Sequence, residues 1–155
     1  MTDAVDAAVD KAGSADSAEI PAYAPWSGHV PAPEHRTPVT TYRLQLGAGL
    51  TFADAKALVP YLADLGVTDL YLSPVLTAAP GSTHGYDVVD HRRISAVMGG
   101  RDQLESLSAE ARTHGMGIVV DIVPNHMAVP TPGWHNLPLW SVLREGPDSP
   151  YAAWF

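Results

Sequence analysis

The chain has 155 residues, 46% of them hydrophobic, enough for one domain of ordinary size with a substantial core. Seventeen acidic residues against nine basic ones leave a net charge of −8, which argues against an electrostatic grip on nucleic acid or on an anionic membrane and favours a neutral, polar ligand. Cysteine is absent, so disulfides and thiolate metal sites are excluded.

Residues 1 to 38 are rich in Ala, Asp, Ser and Pro, with prolines at 21, 25, 31, 33 and 38. Prolines at that density suit neither helix nor sheet, and the segment reads as a flexible leader. Its start, MTDAVDAAVD, carries acids where a signal peptide needs a basic segment and an apolar core. No stretch approaches the ~20 apolar residues that cross a bilayer, so the expected location is the cytoplasm.

From Thr40 two patterns alternate. TYRLQL (41–46) is β-prone and bounded by Gly-Ala-Gly, which predicts a first strand. Thr51 is a candidate N-cap for a helix over Phe52 to Leu65, where Ala55, Leu58, Val59, Leu62 and Leu65 recur at helical spacing and Gly66 ends the run. VTDLYLSPV (67–75) predicts a second strand, and residues 77–100 read as a long loop. RDQLESLSAEARTHG then sets Leu104, Leu107 and Ala111 on one helical face before Gly115, and GIVVDIV (117–123) predicts a third strand. The last segment is rich in Pro and Trp, with a short helix expected around Leu139 to Arg144.

Helices between three apolar strands imply βαβαβ, with parallel strands and right-handed crossovers. A doubly wound open sheet and an eight-stranded barrel both satisfy this. No G-x-G-x-x-G follows a strand and no P-loop is present, so the barrel is preferred. The expected fold is therefore α/β, the N-terminal part of a (β/α)8 TIM barrel with strands 1–3 and two helices. Residues 1–38 would be the leader, 39–129 the first βαβαβ portion, and 130–155 the start of an insertion after strand three.

A barrel builds its active site at the C-terminal ends of the strands. Polar residues cluster there: Arg43 and Gln45 on strand one, Ser73 and then His84, Gly85, Tyr86 and Asp87 after strand two, and Asp121, Asn125 and His126 from strand three. Singly, each has an ordinary reading: an aspartate at a strand end usually caps a turn, and a tyrosine can be a packing aromatic with a wet hydroxyl. Their conjunction after adjacent strands suits sugar, because a flat ring covers a pyranose face while Asp and His take its hydroxyls. His91, Arg92 and Arg93 read as solvated loop charges, and His29 and His35 in the leader are assigned no role. The histidines form no H-x-x-x-H helix pair, which gives zinc no support. Asn125 alone is a weak calcium candidate.

DIVPNH (121–126) resembles the first conserved region of the α-amylase superfamily, glycoside hydrolase family 13, at the end of the third barrel strand. TYRLQL, LGVTDLYLSPV, APGSTHGYDVVDH and GGRDQLESL are similar to its maltooligosyl trehalose synthase branch, in order from about Thr40 to Phe155. The resemblance implies an isomerase of trehalose biosynthesis. Without a cofactor, it converts the reducing-end α-1,4 linkage of a maltooligosaccharide to α,α-1,1 by intramolecular transglycosylation. Carried over by position, Tyr86 would stack on the sugar whose bond breaks, with His84 beside it. Asp121 would hold the charged groups in place and His126 would bond a hydroxyl of the same sugar. Asn125 matches a position that binds calcium in many amylases. The family's Asp nucleophile and Glu acid/base, roughly 5–5.5 Å apart in a retaining site, and a third aspartate follow strands four, five and seven. None of the three is expected among these 155 residues. Trp134, Trp140 and Trp154 would fall in the insertion, where packing is at least as good an explanation as sugar stacking. Three alternatives stay open: another glycosidase of the superfamily, a non-catalytic carbohydrate-binding remnant, and a nucleotide-binding α/β domain, the last opposed by the missing glycine loop.

Overall fold

The computed structural model describes residues 37–155. The leader read over residues 1–38 lies outside these but for its last two residues, as do His29 and His35. Three strands, β1 (Thr41–Leu44), β2 (Asp69–Leu72) and β5 (Gly117–Val120), form a parallel sheet in the order β1-β2-β5. Helix α1 (Phe52–Asp64) connects the first pair, and α2 (Gly100–Thr113) precedes β5. The helix α3 (Leu137–Glu145) lies in the closing segment among short 3-10 turns.

The register explains which face is which. Tyr42, Leu70 and Ile118 are aligned, as are Leu44, Leu72 and Val120. Successive side chains on a strand point to opposite faces, so these even-numbered residues share one face. Leu44, Leu46, Leu70 and Leu72 are buried there against Phe52, Ala55, Val59 and Leu62 of α1 and Leu107 and Ala111 of α2, with Ile118 and Val120 packed beside them. Both helices thus cover one face, and strand order follows chain order. That is the arrangement of a barrel wall, whose helices all lie outside. The odd-numbered residues, Arg43, Tyr71 and Val119 in one row, occupy the other face, with Gln45, Ser73 and Asp121 one step on. Among the described residues no strand pairs with the outer edge of β1 or of β5.

Thr51 fixes where α1 begins. Its hydroxyl accepts from the Asp54 amide at 3.3 Å, and the Asp54 carboxylate accepts from the Thr51 amide at 2.8 Å, a reciprocal capping box. The hydrogen bonds from the Thr51 hydroxyl and amide hold the Asp54 carboxyl below the usual carboxylate range. Thr51→Ala is expected to cost about 1 kcal/mol in chemical unfolding. Because the folded-state pKa of Asp54 is depressed, its contribution is present above a pH of about 4 and is lost as the pH falls through the folded value. The difference between Thr51→Ala and the parent chain should therefore narrow in acid.

The structure corrects the reading of residues 77–100 as a loop. An antiparallel pair, β3 (Leu76–Ala78) and β4 (Val88–Ile94), stands there with an irregular register. Val88 and Val89 are buried and supply the β-branched nucleus of β4. Charges at Asp90, Arg92 and Arg93 masked the strand pattern. The three parallel strands are also shorter than expected, although Ser73 N–H donates to Leu44 O and Asp121 N–H to Leu72 O, extending the ladder by one step. Among the described residues no helix is long and apolar enough to cross a membrane.

Candidate functional site

The face turned away from the helices ends in a polar cluster at the C-terminal ends of the parallel strands. Arg43 rises from β1 with its guanidinium carbon 5.5 Å from the centre of the Tyr71 ring, its aligned neighbour on β2. One guanidinium nitrogen donates to Gln45 Oε1 at 2.9 Å and another to the Tyr86 hydroxyl at 3.1 Å. Tyr86 in turn donates to Asp121 Oδ2 at 2.5 Å, and that oxygen lies 3.9 Å from the Arg43 guanidinium. Three separate segments therefore converge: β1, the connection after β2, and the residue that follows β5.

Electrostatics agree with this geometry. The hydrogen bond to Asp121 pushes the Tyr86 phenol above its ordinary value, and the bond from Arg43 only partly offsets it. Arg43 is held more firmly protonated by its bond to Tyr86. Tyr86 thus stays a neutral ring at working pH, 38% exposed, with its hydroxyl engaged as both donor and acceptor.

The turn that carries Tyr86 is built from its own side chains. Ser82 Oγ accepts from the Gly85 amide at 3.1 Å and donates to Asp87 Oδ1, while His84 Nδ1 accepts from the Tyr86 amide at 3.1 Å. The His84 and Tyr86 rings stack at 5.9 Å and 22°. Gly85 has φ of +80° and turns its Cα towards the Pro74 carbonyl, so any side chain there would meet backbone. Gln45 Nε2 donates to His84 O at 3.3 Å, tying this turn to β1.

The structure brings Tyr86, His84 and Asp121 into direct contact, a set that does not include His126. His126 is exposed, with Nδ1 3.1 Å from Asn125 Oδ1, in a recess shared with His91, Pro124, Met127, Trp154 and Phe155. Asn125 is thus turned to His126, and among the described residues no three His, Asp or Glu side chains gather as a metal would require.

Ser73 is no open site residue: it is fully buried, and its hydroxyl accepts from the Leu46 amide at 2.8 Å to pin the end of β1. The reading of His91, Arg92 and Arg93 as solvated loop charges is corrected in part: all three lie on β4, and Arg93 alone keeps a largely solvated side chain. His91 Nε2 lies 2.8 Å from Val123 O, and Arg92 is held by Asp90 at 3.1 Å with its guanidinium over the Tyr151 and Trp154 rings. Burial alone would raise the Asp90 pKa, but hydrogen bonds from the Arg92 side chain and amide, with the charges of Arg92 and Arg93, bring it below the usual range. These residues clasp the closing segment to β4. Trp134 and Trp140 meet edge to face at 6.3 Å, consistent with packing. Arg43, named from the sequence only as a strand-end residue, is the hub, and its position on the odd-numbered face was the available signal.

The alpha-amylase catalytic domain, as a family profile, matches residues 56–155. The chain belongs to the alpha-amylase family. With the strand order and helix placement, membership makes the parallel sheet part of a (β/α)8 barrel and sets DIVPNH at the end of its third strand. Among alpha-amylase relatives, a protein named putative maltooligosyl trehalose synthase from Mycobacterium tuberculosis (strain CDC 1551 / Oshkosh) is 53% identical over 122 residues, 76% of this chain and 16% of that protein. The solved maltooligosyltrehalose synthase of Arthrobacter ramosus superposes with a TM-score of 0.72 at 53% identity, covering 76% of this chain and 16% of that one. An intracellular maltogenic amylase from Bacillus subtilis (strain 168) is 35% identical over 95 residues, 61% of this chain and 15% of that protein. The chain thus spans about one sixth of the length of these relatives.

Proposed function

We propose that these residues form the substrate-holding part of a maltooligosyl trehalose synthase. In that reaction the reducing-end α-1,4 linkage of a maltooligosaccharide becomes α,α-1,1 by intramolecular transglycosylation, as a step of trehalose biosynthesis. The observation that carries the reading is Tyr86, an exposed neutral ring fixed between Arg43 and Asp121 at the strand ends, in a chain 53% identical to proteins of that name.

In this reading the Tyr86 face takes the sugar ring, His84 extends the aromatic wall, Asp121 holds Tyr86 and the nearby cation, and His126 reaches a hydroxyl of the same sugar. The strand edges of β1 and β5 are where further barrel strands would pair. Residues 39–129 would be the first barrel portion and 130–155 the opening of the insertion. The relative named as intracellular is in keeping with a cytoplasmic location.

A retaining glycosidase site needs a carboxylate nucleophile and a carboxylic acid flanking the scissile bond. Asp121 is committed to Tyr86 and lies beside Arg43, which suits it to hold charge in place. With no nucleophile and acid pair assigned among these residues, neither the covalent glycosyl intermediate nor the protonated leaving group can form. The 155-residue chain incubated with maltopentaose is therefore expected to leave its reducing power unchanged. A protein carrying these residues in a complete barrel should lower it by forming a trehalose-ended chain. Trehalose-ended product from the 155 residues alone would overturn the assignment of roles. Hydrolysis to glucose and maltose by the complete barrel would favour a maltogenic amylase instead.

A further inference from the structure

We propose that Arg43 is the positioning residue of this site. It fixes Tyr86 and Asp121 in one geometry and, through Gln45, ties them to the turn that carries His84. The inference rests on the sugar-binding reading above and adds to it the device that sets the ring plane.

A guanidinium is a rigid planar fork with five N–H donors and no acceptor, so partners placed around it are fixed in mutual direction as well as in distance. Here one edge donates to Gln45 at 2.9 Å and another to Tyr86 at 3.1 Å, with Asp121 at 3.9 Å. Its central carbon lies over the Tyr71 ring, 5.5 Å from the ring centre. Tyr71 is aligned with Arg43 in the parallel ladder, so the support comes from a regular strand pair and not from a mobile loop. Gln45 passes the restraint on, its amide nitrogen reaching the His84 carbonyl at 3.3 Å.

Folding alone does not account for this arrangement. The Arg43 and Asp121 side chains are 38% and 18% exposed, and an ion pair that wet contributes little to stability. What the contacts do accomplish is to use both hydrogen-bonding roles of the Tyr86 hydroxyl, accepting from Arg43 and donating to Asp121. A phenol held at both roles cannot swing about its Cβ, and only the ring face is left for a ligand. Lysine would supply the charge without the fork, so it should not reproduce the geometry.

The test uses the 155-residue chain labelled with 13C at the tyrosine Cζ, comparing the parent with Arg43→Met and Arg43→Lys. Tyr86→Phe assigns the Tyr86 resonance. The charged or titratable groups facing the phenol are Asp121, Arg43 and His84. With Arg43 gone and Asp121 kept, the Tyr86 phenol should ionise at higher pH than in the parent. Maltopentaose affinity should fall about tenfold or more, as for the loss of a hydrogen bond to a charged group, and the unfolding midpoint should move by no more than a few degrees. Arg43→Lys should leave affinity reduced. An unchanged Tyr86 titration in Arg43→Met, or full recovery of affinity in Arg43→Lys, would overturn the proposal. If the titration shifts as stated while maltopentaose gives no saturable heat even with the parent chain, the sugar-binding reading fails and the positioning of Tyr86 stands.

Discussion

Replacing Phe52 by alanine is expected to remove about 3–5 kcal/mol of folding stability, the usual cost of emptying a buried aromatic site. Phe52 is the first residue of α1 and is wholly buried among the leucines of β1 and β2 and the inner face of α2. Its ring also lies 3.9 Å from where a Cβ on Gly99 would stand, just ahead of α2. The ring thus joins both helix starts to the sheet, and the cavity it leaves cannot close without moving one of them. A domain of this size has only about 5–15 kcal/mol in total, so the substitution should consume a large part of it in urea unfolding. Leu58→Ala on the same helix is the comparison: at 36% exposed, it should cost well under half as much. Equal losses at the two positions would mean that α1 does not pack against the sheet as described.

Gly85→Ala is the second large effect, and it acts on the site as well as on stability. At φ +80° an alanine is strained by about 1–2 kcal/mol, and its Cβ would stand 3.0 Å from the Pro74 carbonyl oxygen and 3.4 Å from Pro74 Cβ. Pro74 is buried directly after β2 and cannot yield, so the turn must lift. Tyr86 is the next residue and would leave Asp121 with it. The expected result is a loss of about 1–3 kcal/mol together with loss of maltopentaose binding. Gly81→Ala separates strain from displacement: its φ is +82°, but nothing lies within 4 Å of the added Cβ. It should cost about 1 kcal/mol and leave binding intact. Binding retained in Gly85→Ala would show that the Tyr86 turn tolerates movement and that its close seat on Pro74 is incidental.

Much of this was legible in the sequence, for identifiable reasons. The period of Ala55, Val59 and Leu62, with Thr51 ahead and Gly66 behind, is a local signal, and α1 appears within a residue of its expected bounds. The conjunction of Tyr86 and Asp121 was visible because both follow strands whose parallel order the alternation of elements implies. What was not legible depended on tertiary pairing. The β3–β4 pair hides in a run whose apolar residues, Val88, Val89 and Ile94, are broken by charges, and its irregular register gives no clean alternation. Arg92 looks like a solvated cation until Asp90, Tyr151 and Trp154 are seen around it. Ser73 has the composition of a site residue, but only the fold shows its hydroxyl spent on the Leu46 amide. Arg43 was named without a role because only the register sets it over Tyr71 and only the fold brings the Tyr86 hydroxyl within its reach. The pairing of His126 with Asn125 likewise depends on the path of the chain after β5, which pattern alone does not determine.

We propose that Tyr86, held by Arg43 and Asp121, forms a maltooligosaccharide-holding surface. Calorimetric titration of maltopentaose into the 155-residue chain and into its Tyr86→Ala variant tests it most directly. Saturable heat with the parent chain, reduced at least tenfold in affinity when the stacking ring is removed, is the predicted result. Equal binding by both chains, or no saturable heat from a parent chain shown by its unfolding transition to be folded, would contradict it.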